Sequence, residues 1–302
     1  MSESTLSAPS EHLTWQQYLE LCKPKVVLLI VFTAIVGMFL STPEIPPLDT
    51  IFFASLGIGL AAASGAAVNH WVDQKIDSQM ERTKARPIPT GGLSSRSAIT
   101  FALSLCAISM AILLATTNVL TSVLTFISVI VYAVIYTMFL KRWTPQNIVW
   151  GGAAGAAPPL LGWAAITGEV TGESFLLFLI IFVWTPPHFW ALAIRRRDEY
   201  AKVDVPMLPV THGIPFTKHQ VLLYSLMLFS ITLLPFGLHM SGIIYLTGAT
   251  VLGLGFIYHA TKLYLSDTDE HAMKTFGYSI FYLTVLFALL LIDHYIPINL
   301  SA

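Results

Sequence analysis

Charge is scarce in this 302-residue chain. Only 11% of the residues are Asp, Glu, Lys or Arg, the formal net charge is −1, and 55% are hydrophobic. A protein that binds nucleic acid needs an excess of basic residues to meet the phosphates. Sixteen basic residues against seventeen acidic ones supply none, so no nucleic-acid partner is expected. Cysteine is scarcer still. Cys22 precedes the first apolar run and Cys106 lies inside the third, and the pair has no metal-ligand spacing. Packing rather than a disulfide or a metal is their expected role. No P-loop or dinucleotide glycine pattern occurs, so any phosphate site must be built another way. Residues 1–14 form a polar tail that lacks the basic start and apolar core of a cleaved signal.

What the chain has instead is long apolar runs, and the mean hydropathy is +0.70. Nine stretches near twenty residues lie at roughly 26–42, 51–70, 98–117, 119–140, 147–166, 174–194, 220–239, 242–261 and 276–294. A helix of about twenty residues crosses a hydrocarbon core of ~30 Å. The expected fold is an all-α integral membrane protein of nine transmembrane helices, forming one membrane-embedded domain over 1–302.

The basic residues support that count. With nine spans, all sixteen Lys and Arg fall on one side, and outer loops such as STPEIPPLDT and TGEVTGES have none. The positive-inside rule then puts the N-terminus in the cytoplasm. Two cytoplasmic loops are long, about 71–97 and 195–219. Each follows the second helix of a four-helix set, which predicts two pseudo-repeated four-helix halves with a ninth helix left over. Small residues crowd GIGLAAASGAAV in the second span and GGAAGAAPPLLGWAA in the fifth. They can serve close helix packing or leave room for a bulky ligand.

The first long loop opens with NHWVDQKIDSQMERTKARP. It places seven charged groups, Asp73, Lys75, Asp77, Glu81, Arg82, Lys84 and Arg86, after an apolar run with no charge from residue 50 to residue 72. Asn69, Asp73 and Asp77 are spaced i, i+4, i+8, which puts an amide oxygen and two carboxylates on one helix face. Hard oxygens in that number suit Mg²⁺, which keeps waters and shares its sphere with substrate phosphates. Arg82, Lys84 and Arg86 follow, and cations there can neutralise a diphosphate. Asn69 lies inside the apolar run, where a polar group is costly and faces a cavity.

The second long loop follows WTPPHFWALAIRRRDEYAKVDVPMLPVTHG. Pro186 and Pro187 are expected to break the sixth span near its cytoplasmic end. Asp198 is the first acid of that loop to weigh as a metal ligand, with Glu199 and Asp204 behind it. Arg195, Arg196 and Arg197 offer phosphate donors or serve only as a topogenic cluster. Tyr132 and Tyr136, at i, i+4 on the fourth span, can present π faces to a cation or simply pack. Of nine histidines, His188, His70 and His212, in that order, stand as candidates to hold a substrate.

NHWVDQKIDSQMERTKARPIPTG resembles the NxxxDxxxD motif and trailing ERTxxRP of the UbiA-type intramembrane prenyltransferases. The resemblance implies a site for Mg²⁺ and a polyprenyl diphosphate, and it agrees with nine spans. WTPPHFWALA, VPMLPVTHG and LKRWTPQNIVWGGAAGAAPPLLGWAA are similar to the protoheme IX farnesyltransferases within that superfamily. Taken together the match runs from about residue 16 to residue 294. It implies transfer of farnesyl from farnesyl diphosphate to a vinyl group of protoheme IX (heme B) in a bacterial inner membrane, giving heme O, with heme A synthase or terminal oxidase assembly as further partners. Heme is then a substrate and Mg²⁺ the cofactor. In one respect the sequence departs from the superfamily: the residue four after Asp198 is Lys202, so the paired acids of the second loop are not intact. A prenyltransferase acting on a quinone-precursor ring shares the first motif but not the other segments. A transporter is the rival from another class, and it explains the prolines but not metal and phosphate groups gathered at one membrane face.

Overall fold

The computed structural model of the chain describes residues 15–296. The polar tail expected over 1–14 lies outside them. Every described regular element is helical. In chain order they are α1 (Trp15–Leu21), α2 (Pro24–Leu40), α3 (Leu48–Asp77), α4 (Ser95–Thr116) and α5 (Val119–Trp143). Then come α6 (Asn147–Ala156), α7 (Pro158–Thr167), α8 (Gly172–Arg195), α9 (Arg197–Lys202) and α10 (Leu208–Thr211). The last three are α11 (Gly213–Gly237), α12 (Ile243–Leu265) and α13 (Glu270–Tyr295).

Among the described residues, seven helices are long and apolar enough to cross a membrane, or eight if α1 and α2, bent by 55°, form one span. The chain is thus an integral membrane protein by its helices. Two of the nine expected spans differ from an uninterrupted twenty-residue helix. The first is a helix of 17 residues, α2. The fifth is two ten-residue helices, α6 and α7, parted at Ala157 because Pro158 starts the second one.

Pro186 and Pro187 do not break α8, contrary to the expectation from sequence. The helix runs through both, from Gly172 to Arg195. Proline keeps a helical φ and costs a donor, and a membrane helix tolerates that loss when its neighbours hold it. Here α8 is packed on several sides, against α6, α7, α11 and α13. Thr185, just before the prolines, turns its hydroxyl back to Ile181 O at 2.8 Å.

α3 and α8 are the most buried spans, 56% and 67% of their apolar windows. α3 lies against α2, α4 and α5, while α13 packs on both α8 and α2. The small residues explain part of this closeness. A Cβ at Gly37 would strike the backbone of Pro159, and one at Gly162 would strike the backbone of Ala34. α2 and α7 therefore meet backbone to backbone, as small residues permit in lipid. Close packing, rather than space for a ligand, accounts for these two glycines.

At the end of the bundle that carries the long loops, one apolar cluster joins Met80 of the first loop to Tyr200, Val205 and Met207 of the second, over Trp190 and Ile194 of α8. The two loops are packed together.

Candidate active site

Asn69, Asp73 and Asp77 are all buried along the last turns of α3. Their i, i+4, i+8 spacing places them in one column. Asn69 Nδ2 donates to Asp73 Oδ2 at 2.7 Å. Three cations converge on the column. Lys23 Nζ donates to Asn69 Oδ1 at 2.6 Å, Lys141 Nζ pairs with Asp73 Oδ2 at 2.5 Å, and Arg86 pairs with Asp77 Oδ2 at 2.6 Å. Thr83 reinforces the turn, its hydroxyl donating to Asp77 O at 3.0 Å.

Lys23 and Lys141 join the polar column, whereas from sequence both are expected only to set the topology. Lys23 is in the left-handed region at φ 49, between α1 and α2. That conformation is uncommon for a residue with a Cβ and is kept where surroundings impose it. Burial, and then the Arg86 and Lys141 cations, push the Lys23 ammonium down to about 7. An anion bound among these cations would reverse the effect of the neighbours.

Lys141 reaches Asp73 through an irregularity of α5. Its middle, Val131–Leu140, is a π-helix. Bonds from i to i+5 widen the turn to about 4.4 residues. On an α-helix, position 141 would lie on the side opposite 132. On the wider helix the nine-residue separation is two turns, so Tyr132, Tyr136 and Lys141 share a side. The tyrosine rings stack at 5.8 Å and 19°. Each rests on a glycine: a Cβ at Gly65 would come within 3.0 Å of Tyr132, and one at Gly151 would enter the ring of Tyr136. Gly65 lies one turn before Asn69 on α3, so the tyrosine pair borders the polar column on its membrane side.

The remaining expected residues are placed differently. Arg82 and Lys84 are exposed, and Lys84 pairs with Glu81 at 2.6 Å. Arg195 is exposed as well. Asp198 does not join the column: its side chain is 91% exposed, with Arg197 its ion partner at 3.9 Å. The reason is the anchoring of Tyr200 in the apolar cluster. Residues two apart on a helix are about 200° apart, so an inward Tyr200 turns Asp198 outward. Glu199 is the more sheltered acid. It pairs with Arg196 at 3.0 Å, and its Oε2 is buried without a partner. Burial pushes the Tyr200 phenol up from its ordinary value, against the pull of Arg82 and Arg196. Arg197 donates to Pro209 O at 3.1 Å, which braces the second loop.

The three histidines separate. His212 is exposed, bonded to Thr211 Oγ1 at 2.8 Å and stacked on Phe216. His70 is buried, and neither ring nitrogen has a partner. His188 is buried between aromatic rings.

The donor set can be tested for Mg²⁺. No group of three or more His, Cys, Asp or Glu side chains able to hold a metal occurs among the described residues. Two carboxylates and an amide remain, which is the supply expected for a metal that takes its other ligands from water and phosphate. Asp73 Oδ1 is buried with no hydrogen-bond partner. A buried carboxylate oxygen without a partner is costly unless a cation completes it. The residues fit Mg²⁺ on these terms.

Known proteins resemble the chain over most of its length. The model of the UbiA prenyltransferase family matches residues 30–288. A protoheme IX farnesyltransferase of Thioalkalivibrio sulfidiphilus is 61% identical over 302 residues, covering 100% of both chains. The chain belongs to the protoheme IX farnesyltransferases of the UbiA prenyltransferase family. A protoheme IX farnesyltransferase of Nitrosococcus oceani is 60% identical over 283 residues, 94% of this chain and 95% of that one. Solved structures of the UbiA family share the fold. A digeranylgeranylglyceryl phosphate synthase superposes with a TM-score of 0.78 at 19% identity, covering 93% of this chain and 98% of that one. A UbiA homologue from Archaeoglobus fulgidus, bound to GPP and Mg²⁺, gives 0.70 at 17% identity, covering 91% and 99%. Members of the protoheme IX farnesyltransferases are prenyltransferases by name, and the polar column of α3 falls inside the matched family region.

Proposed function

We propose that the protein transfers the farnesyl group of farnesyl diphosphate to a vinyl group of protoheme IX, giving heme O and diphosphate. Full-length identity to proteins of that name supports the reaction. The observation that carries the site is the buried column of Asn69, Asp73 and Asp77 meeting Lys23, Lys141 and Arg86.

Asp73, Asp77 and Asn69 would hold Mg²⁺, which supplies charge neutralisation for the departing diphosphate. Lys23, Lys141 and Arg86 bind the diphosphate oxygens, releasing Asn69 from its hydrogen bond with Lys23 and Asp73 and Asp77 from their ion pairs. The C1–O bond of the donor breaks and the electron pair leaves with diphosphate. The stacked faces of Tyr132 and Tyr136, on the membrane side of the column, shield the allylic cation from water and stabilise it. The vinyl group forms the new C–C bond, water adds to the neighbouring carbon, and one proton is lost. His70, whose ring nitrogens have no partner, is available to donate a hydrogen bond to the anion. Glu199 serves the second loop better than Asp198, which would have to turn inward to act as a ligand. Arg82, Lys84, Arg195, Arg197 and His212 form the outer rim, and His188 holds the heme.

The decisive experiment incubates the purified protein with protoheme, farnesyl diphosphate and Mg²⁺, with product identified by mass. Heme O is expected, and a chelator in excess of the metal should abolish it. Failure to make farnesylated heme, with ready prenylation of a quinone-precursor ring, would overturn the assignment.

Arg86→Ala should weaken farnesyl diphosphate binding about tenfold or more through loss of a charge-assisted contact, on the order of 1.5–3 kcal/mol. Arg82→Ala should cost much less, because Arg82 is exposed. Titration of both variants with donor decides this. Equal losses would remove Arg86 from its special place.

The proposed topology is a single domain of nine spans, in two four-helix halves plus one. Its N-terminus and active site face the cytoplasm of a bacterial inner membrane. The one-sided basic residues support it. Cysteines introduced at 80–95 or 198–210 should react from the cytoplasmic face, and those at 167–173 from the other. Labelling of 167–173 from the cytoplasm would break the scheme.

A further inference from the structure

His188 is held on both faces. Trp184 stacks at 4.3 Å between centroids and 18°, and Phe276 at 4.5 Å and 26°. Rotation of the ring is blocked, so only its edges are open to chemistry. The Nδ1 edge meets Ser279 Oγ at 2.6 Å. Ser279 is fully buried, and its Oγ is also 2.6 Å from the carbonyl oxygen of Phe276.

These two distances determine where the protons are. A carbonyl has none to give, and two oxygens do not approach to 2.6 Å without a proton between them. The single hydroxyl proton of Ser279 therefore points at Phe276 O. Toward His188 the serine can only accept, so Nδ1 carries the ring proton. The neutral imidazole then has its free electron pair on Nε2. Among the described residues that nitrogen has no hydrogen bond, and His188 keeps 8% of its surface exposed. Trp184 adds a second constraint, because its Nε1 donates to Ser279 O at 2.8 Å. The residue that clamps the ring also fixes the backbone of the serine that sets its tautomer.

We propose that Ser279 is a positioning residue that holds His188 as the Nδ1–H tautomer, so that Nε2 ligates the iron of the heme substrate. The proposal rests on the acceptor reading given above. A neutral imidazole ligates through the nitrogen that lacks a proton, and the bond made by the other nitrogen decides which one that is. No residue on α8 itself does this; α13 supplies it from 91 positions away.

The test has two readouts. Nitrogen-15 NMR of histidine-labelled protein without heme should show His188 protonated at Nδ1, and Ser279→Ala should give a mixture of tautomers. Ser279→Thr, which keeps the hydroxyl, should restore the single form. In titrations with protoheme, His188→Ala should remove the axial-ligand signature from the bound-heme spectrum. Ser279→Ala should weaken heme binding about tenfold or more, the usual effect of losing such a support, and Ser279→Thr should recover it. Donor binding should be unchanged in every variant. If the wild-type protein binds no heme, the acceptor reading fails. If heme binds with a spectrum that depends on His188, but Ser279→Ala leaves both spectrum and tautomer unaltered, the role of Ser279 is refuted. A heme spectrum indifferent to His188 overturns iron ligation.

Discussion

Asp73→Asn should reduce farnesyl transfer by about 10³-fold or more while the protein still inserts and keeps its fold. The change removes one negative charge and little volume. Asp73 Oδ2 now meets both Asn69 and Lys141, and Oδ1 is buried without a partner. An amide would put either an oxygen or an NH₂ group where the carboxylate presents two acceptors, and it cannot neutralise a divalent cation. Removal of one preorganised electrostatic contact at a site of developing charge typically costs ~10²–10³ in rate. Here the lost charge also weakens metal binding, so the larger value is expected. Heme O production at saturating Mg²⁺ and farnesyl diphosphate is the measurement. Turnover within tenfold of the parent protein would take Asp73 out of the metal site.

The second large effect is on stability. Gly162→Ala should destabilise the protein by about 3 kcal/mol, at the upper end of what overpacking costs. A Cβ there meets the Ala34 backbone, which cannot swing aside as a side chain can. α2 and α7 would have to separate. Gly155→Ala, in the same stretch of sequence, should be neutral or slightly stabilising, because nothing lies within 4 Å of the Cβ it adds. Thermal unfolding in detergent compares the two. Equal midpoints would mean that the α2–α7 contact does not depend on Gly162.

Much of the molecule was legible in order. The apolar runs located a helix in every expected place, since a bilayer demands length and hydrophobicity that composition displays directly. The column of Asn69, Asp73 and Asp77 was legible for a similar reason: it lies within one helix, where spacing alone sets direction. Other features were not. The WTPPHF segment carries two helix breakers, yet α8 continues through them because neighbouring helices enclose it. Asp198 and Glu199 are adjacent acids, and from sequence Asp198 comes first. Which one faces inward depended on Tyr200 being drawn into an apolar cluster with Met80 of the other loop. The glycines of the GGAAGAAPP stretch look alike in sequence. In the fold, Gly151 seats Tyr136, Gly152 approaches Thr185 and Gly155 touches nothing.

By itself, then, the sequence determined the helical membrane class through its composition, pointed to the family through the resemblance of its motifs, and aligned the acids of the candidate site through their spacing within one segment. The cationic half was decided by the tertiary structure. Lys23 comes from the break before α2, held at φ 49, and Lys141 from a helix whose π turn rotates it onto the side of the tyrosines. The partner of His188 Nδ1 was decided in the same way, by a serine on α13. A charge-assisted bond or a tautomer depends on distances of a few tenths of an ångström between segments far apart in the chain, and only the packing of one helix on another sets those distances.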